Sequence, residues 1–221
     1  MRFFLDTANI SEIEDGIRKG VVSGVTTNPT ILSKEPKTDF FAHIKKIAKI
    51  CKAGGNLPLS VEVFAKDPEG MLRQSYDIKE KIPYEHLNIK IPIGYEELEV
   101  IHKLSSDNID VNCTCCFNAT QLQMGATAGS KYVSLFYNRL KEVGGNPQEV
   151  LERTKKFLIE NQLQCEIIAG SIRQPWDLED AWNSGADIVT AGYSILKKSV
   201  KHPKTDESIM QFLSDFREWM S

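Results

Sequence analysis

Long apolar runs are missing from this chain of 221 residues, and nothing in it approaches the ~18 apolar residues of a membrane span. The opening Met1-Arg2-Phe3-Phe4-Leu5-Asp6 meets charge too soon to read as a secretory signal. An excess of basic charge is missing too. A net charge of -3 gives no electrostatic footprint for nucleic acid and leaves small molecules or other proteins as the expected partners. There is no paired-cysteine framework: five cysteines, three of them crowded at Cys113, Cys115 and Cys116, read as reduced thiols of a cytoplasmic protein. No Gly-x-Gly-x-x-Gly follows the first apolar run, which weakens a dinucleotide-binding sheet. No linker or low-complexity tract divides the sequence, so residues 1–221 read as one domain with a sizeable core.

What is present is a regular alternation. Short, continuously apolar, β-rich runs fall at residues 3–6, 24–27, 59–64, 87–91, 110–114, 132–136, 165–169 and 188–191, as expected of parallel strands covered on both faces. Helical segments lie between them. Ser11-Glu12 opens the first and Gly20 closes it; the next runs over 40–52 and stops at Gly54-Gly55. Asp67-Pro68 starts another, followed by 94–104, 118–129, a long helix from Asn146-Pro147 to about 161, and one from Gln174-Pro175-Trp176 to Gly185. Eight such units predict an α/β protein, a (β/α)8 TIM barrel, with an open doubly wound sheet as the alternative. A final helix over 206–220 places Ile209, Phe212, Leu213, Phe216 and Trp219 on one apolar face suited to packing between subunits.

Two charges violate the burial rule. Lys90 interrupts Asn88-Ile89-Lys90-Ile91-Pro92, and Glu62 interrupts Leu59-Ser60-Val61-Glu62-Val63-Phe64. Lys90 alone fits an edge strand with its ammonium outward. Two violations on neighbouring strands point instead to a functional site, where a desolvated lysine is a nucleophile toward carbonyls. In a barrel the strand C-termini form one mouth, and Asp6, Thr26, Asn28, Asn112, Thr114, Ser134, Phe136, Ser171 and Arg173 all fall at or beside such ends. Each has a bland reading: Asp6 as a helix cap, Asn28 as a turn former before Pro29, Ser171 as a loop hydroxyl. Their convergence on one mouth outweighs these. Metal is not expected, because Cys113 should face away from Asn112 and Thr114 and no further Cys or His is suitably spaced. His43, His86, His102 and His202 read as surface residues, and Trp176 and Trp182 as packing around the seventh helix.

Phe3-Phe4-Leu5-Asp6-Thr7-Ala8-Asn9, Gly24-Val25-Thr26-Thr27-Asn28-Pro29-Thr30 and Ile89-Lys90-Ile91-Pro92 resemble the short transaldolase family, which includes the fructose-6-phosphate aldolases. Ala169-Gly170-Ser171-Ile172-Arg173 and Gly185-Ala186-Asp187-Ile188-Val189-Thr190 continue the match in order, nearly to the end of the chain. The resemblance implies a barrel that acts without metal or other cofactor, assembles as a pentamer or decamer, and works on sugars in metabolism of the pentose phosphate kind. It implies that Lys90 forms a Schiff base with a ketose and that Asp6 takes the C4 hydroxyl proton. Glu62 and Thr114 would hold the water that carries protons. Thr26, Asn28, Asn112 and Ser134 would line the sugar site, and Arg139, Ser171 and Arg173 would grip its distant anion. Glu62 and Phe136 fall on the transaldolase side, since the aldolases of the family carry Gln and Tyr there. An aldolase, or a barrel that only binds sugar phosphates, is the alternative.

The sequence departs from the family pattern at Leu135, Tyr137, Asn138, Asn118 and Gly192-Tyr193. These positions leave the donor open between fructose 6-phosphate and a 6-sulfonated fructose.

Overall fold

A computed structural model describes residues 2–221. Eight parallel strands close into a barrel in sequential order, the last pairing with the first. In chain order the elements are β1 (Arg2–Asp6), α1 (Ile10–Arg18), β2 (Gly24–Thr26), α2 (Pro29–Leu32), α3 (Phe40–Ala53), β3 (Leu59–Glu62), α4 (Pro68–Lys81) and β4 (Leu87–Pro92). They continue with α5 (Glu97–Ser106), β5 (Val111–Cys116), α6 (Ala119–Thr127), β6 (Tyr132–Phe136), α7 (Tyr137–Glu142) and α8 (Pro147–Glu160). The last are β7 (Glu166–Ile172), α9 (Trp176–Asn183), β8 (Ile188–Ala191), α10 (Tyr193–Ser199) and α11 (Pro203–Met220). The expected (β/α)8 TIM barrel is therefore what forms, and the open sheet is not.

The apolar strands are covered on both faces, which explains their lack of alternation. One cluster, including Leu59, Val61, Leu87, Ile89, Val111 and Ile167, fills the space between the strands and the helices. A second holds Phe4, Tyr132, Ile168 and Ile188, and Phe4 meets Tyr132 edge to face at 6.3 Å. Gly24 makes room for Phe4: a Cβ there would lie 2.5 Å from its ring carbons.

Several expectations shift at the element ends. The first helix is capped by Asn9, not Ser11, because the Asn9 Oδ1 atom accepts from Glu12 N at 3.2 Å and also from the Ser11 hydroxyl. The fifth helix begins at Glu97 rather than at Gly94, and the terminal helix begins at Pro203, three residues early, where the His202 ring caps it through Nδ1. The short helices α2, α7 and α10 span 4, 6 and 7 residues, too few for their periodicity to stand out in the sequence. Trp176 and Trp182 do not pack as expected; they are 61% and 42% exposed on α9. His43 is half-buried rather than at the surface, its Nε2 lying 2.9 Å from the Ala8 carbonyl. Among the described residues no helix is long and apolar enough to cross a membrane.

Candidate active site

Parallel register sets the centre of the barrel mouth. Glu62 of β3 pairs with Lys90 of β4, and Lys90 pairs with Asn112 of β5, so three polar positions sit abreast on adjacent strands. Lys90 is 5% exposed and does not lie on an edge. Its ammonium donates to Glu62 Oε2 and to the Thr27 carbonyl, each at 2.9 Å. An ion pair this far from water endures only with such partners.

Asp6 ends β1 and is not a helix cap; it accepts from the Thr26 hydroxyl at 2.7 Å. Thr26 of β2 lies 2.6 Å from the Thr190 hydroxyl of β8, a contact that spans β1. Burial pushes the Asp6 carboxyl above its ordinary range, against the opposing pull of Lys90 and the Thr26 hydrogen bond. On the far side, Ser134 donates to Asn112 Oδ1 at 2.7 Å, and Asn112 Nδ2 donates to Ser60 Oγ at 3.2 Å. Thr114 Oγ1 is buried and makes no hydrogen bond among the described residues.

Other expected residues occupy the rim. Asn28, held extended by the following proline, caps α2 by accepting from Ile31 N at 3.0 Å, a helix cap where a turn former was the bland reading. Phe136 ends β6, packs edge to face on Phe117 at 5.6 Å, and carries the Arg139 guanidinium 4.7 Å above its ring. Ser171 has φ of 59°, a left-handed backbone uncommon outside glycine, near the C-terminal end of β7. Arg173 follows and forms an ion pair with Glu142. Because Arg139 and Glu142 are three apart on α7, that pair draws Arg173 to the helix bearing Arg139.

Cys113 lies on the outer face as expected: it faces α6, where Gly125 leaves room for its sulfur, while Asn112 turns inward. Cys115 has φ of 61° at an irregularity in the pairing of β5 with β6, and burial followed by the nearby Glu62 charge pushes its thiol up. The positions expected to depart from the family pattern make local contacts. Leu135 and Tyr137 are fully buried, Asn118 caps α6, and the Tyr193 hydroxyl donates to Asp15 at 2.5 Å.

Sequence reasoning missed Ser60, Thr190, Glu142 and Asp177. Ser60 lies two residues before Glu62 on the same strand face, and that periodicity could have marked it. Thr190 is a lone polar residue in an apolar strand. Glu142 carries no local signal, since its partner lies 31 positions away; Asp177 shows only an ordinary bond to Gln174 N at a helix start, and its side-chain partners lie 36 and 39 positions away.

Residues 3–220 match the family described as Transaldolase/Fructose-6-phosphate aldolase. A protein named Probable transaldolase from Thermoplasma volcanium is 40% identical over 220 residues, covering 99% of this chain and 96% of that one. Its namesake from Dehalococcoides mccartyi is 39% identical over 217 residues, covering 98% of each chain. Another from Kosmotoga olearia is 38% identical over 219 residues, with 99% and 97% covered. With a closed barrel of eight strands and matches along nearly its whole length, the chain belongs to the transaldolase/fructose-6-phosphate aldolase family.

Proposed function

We propose that the protein is a transaldolase that moves a three-carbon dihydroxyacetone unit from an anionic ketose to an aldose through a Schiff base on Lys90. The observation that carries this reading is the buried Lys90 amine held 2.9 Å from Glu62 Oε2, with Asp6 on the same mouth. Glu62 accepts a proton from the ammonium, and the free amine adds to the C2 carbonyl of the ketose. Loss of water, with Glu62 and Thr114 holding the water that carries protons, leaves the iminium.

Asp6 then takes the C4 hydroxyl proton while the C3–C4 bond breaks. Its electrons pass into the iminium, an aldose departs, and a three-carbon enamine remains on Lys90. The acceptor aldehyde adds to that enamine, Asp6 returns its proton, and water releases the new ketose. Thr26 fixes Asp6, and Asn28, Asn112 and Ser134 hold sugar hydroxyls. Glu62 and Phe136 support transfer over free aldolase release.

At the far end Arg139, Ser171 and Arg173 take the anion by charge-assisted hydrogen bonds. Fructose 6-phosphate is the donor this clamp is expected to take. A sulfonated ketose has the same tetrahedral shape with a single charge. No metal or other cofactor enters this chemistry. The apolar side chains exposed on α11, Phe212 and Trp219 among them, suit a homo-oligomer in which α11 docks on a second copy, and the reduced thiols suit the cytoplasm.

An assay with fructose 6-phosphate and an aldose acceptor tests the reading, because acceptor-dependent ketose formation is required. Free dihydroxyacetone formed at the same rate without acceptor would make the protein an aldolase. A kcat/KM about tenfold higher for 6-deoxy-6-sulfofructose would replace the phosphate donor.

A further inference from the structure

Asp177 lies in the first turn of α9, and its carboxylate is 1% exposed. A buried carboxylate at a helix start ordinarily reaches back to one backbone N–H and needs nothing more. Here three donors converge on it. Oδ2 accepts from Asn138 Nδ2 at 2.7 Å and from Gln174 N at 3.1 Å, while Oδ1 accepts from Lys141 Nζ at 2.8 Å. The identity of the first two matters. Asn138 directly precedes Arg139, and Gln174 directly follows Arg173. A single oxygen thus ties the chain beside one arginine to the chain beside the other.

Lys141 completes the arrangement. Its ion pair with the carboxylate joins α7 to α9, and its ammonium also lies 5.0 Å over the Tyr137 ring of its own helix. Glu142 adds an outer tie to Arg173, but both partners are about half exposed, so water can replace that contact. The buried tie is the one that holds spacing.

We propose that Asp177 is a positioning residue that sets the separation of the two arginines gripping the anionic end of the substrate. This inference rests on the clamp reading given above. It does not require Asp177 to touch the substrate. Two guanidiniums bind a tetrahedral oxyanion well only at one spacing, and a loop free to move relative to α7 would lose that geometry while the Schiff-base centre stayed in place.

The test compares fructose 6-phosphate with uncharged fructose as donors, using one acceptor, in the wild type, Asp177→Asn and Asn138→Ala. Each variant is first checked for a cooperative thermal transition. In Asp177→Asn the KM for fructose 6-phosphate should rise about tenfold with a much smaller change in kcat, and the preference for the charged donor should shrink accordingly. Asn138→Ala should shift the preference in the same direction. If Asp177→Asn fails to fold, Lys141→Met and Asn138→Ala approach the same network from α7, and the same ratio decides. A folded variant that loses activity equally on both donors makes Asp177 purely structural and overturns the inference. A wild type with no preference for the charged ketose removes the clamp, and the inference with it. A wild-type preference that survives intact in the variants overturns the role of Asp177 alone.

Discussion

Lys90 and Glu62 stand opposite each other in the β3–β4 ladder, and their side chains meet at 2.9 Å between Nζ and Oε2. The pairing keeps a buried ammonium tolerable, and in the proposed mechanism Glu62 also accepts that ammonium's proton. Glu62→Gln should therefore slow Schiff-base formation and hydrolysis, lowering turnover by roughly 10²–10⁴ as general acid–base losses do. Steady-state rates on the charged donor check this. An unchanged transferase rate would remove Glu62 from the chemistry.

Asp6 predicts a pH dependence. Burial raises its carboxyl above the ordinary range, and in the proposed mechanism it must be ionised to accept the C4 proton. The rate of donor cleavage should therefore fall on the acid side with an apparent pKa above the ~3.9 of a free aspartate. Stability runs the other way. A carboxyl with a raised pKa binds its proton more tightly folded than unfolded, so its contribution is best below the unfolded value and is lost as pH rises through the folded one. The wild-type pH–rate profile reads the first dependence; Asp6→Asn should abolish donor cleavage and remove the second, read from melts across the acid range. An acid limb at or below pH ~4 would contradict the assignment.

Gly24 tests the packing beneath the mouth. A methyl group there would lie 2.5 Å from ring carbons of the fully buried Phe4. Gly24→Ala should destabilise by about 1–3 kcal/mol through overpacking, and adding Phe4→Leu should recover part of the loss. Denaturant melts measure both. A single variant as stable as the wild type would mean that the ring can yield without strain.

Tail deletion tests the assembly. Phe212, Phe216 and Trp219 are 70%, 59% and 77% exposed on α11, which has no buried residue. Deleting the chain after Thr205 should dissociate a homo-oligomer while leaving the eight barrel strands intact. Light scattering is the measurement, and a monomer in the full-length protein would end this part of the account.

How much of this was legible in the sequence depends on how far each signal reaches. The barrel was, because eight β-rich runs separated by capped helices repeat a local pattern. Lys90 and Glu62 were legible as charges in apolar strands, and the closed register then made them neighbours. Asn9 was not distinguishable from Ser11 as the first helix cap, since both are good caps and the choice fell to whichever oxygen reached Glu12 N. Trp176 and Trp182 read as packing because large aromatics usually bury themselves, yet both lie on the outer side of α9. The Asp177 network was invisible for another reason. Its donor Asn138 is 39 positions away, and no local propensity encodes a hydrogen bond across two helices. Leu135 and Tyr137 stood out only as departures from the family pattern; the alternation of β6 turns Leu135 into the core, and Tyr137 is buried as the first residue of α7.

The central claim is the covalent bond to Lys90, and borohydride trapping tests it most directly. The protein is incubated with fructose 6-phosphate and no acceptor, then reduced, digested and read by mass spectrometry. The account predicts one stable adduct, on the peptide containing Lys90, and none in Lys90→Met. An adduct on a different lysine, or an active protein that yields no adduct at all, would contradict it.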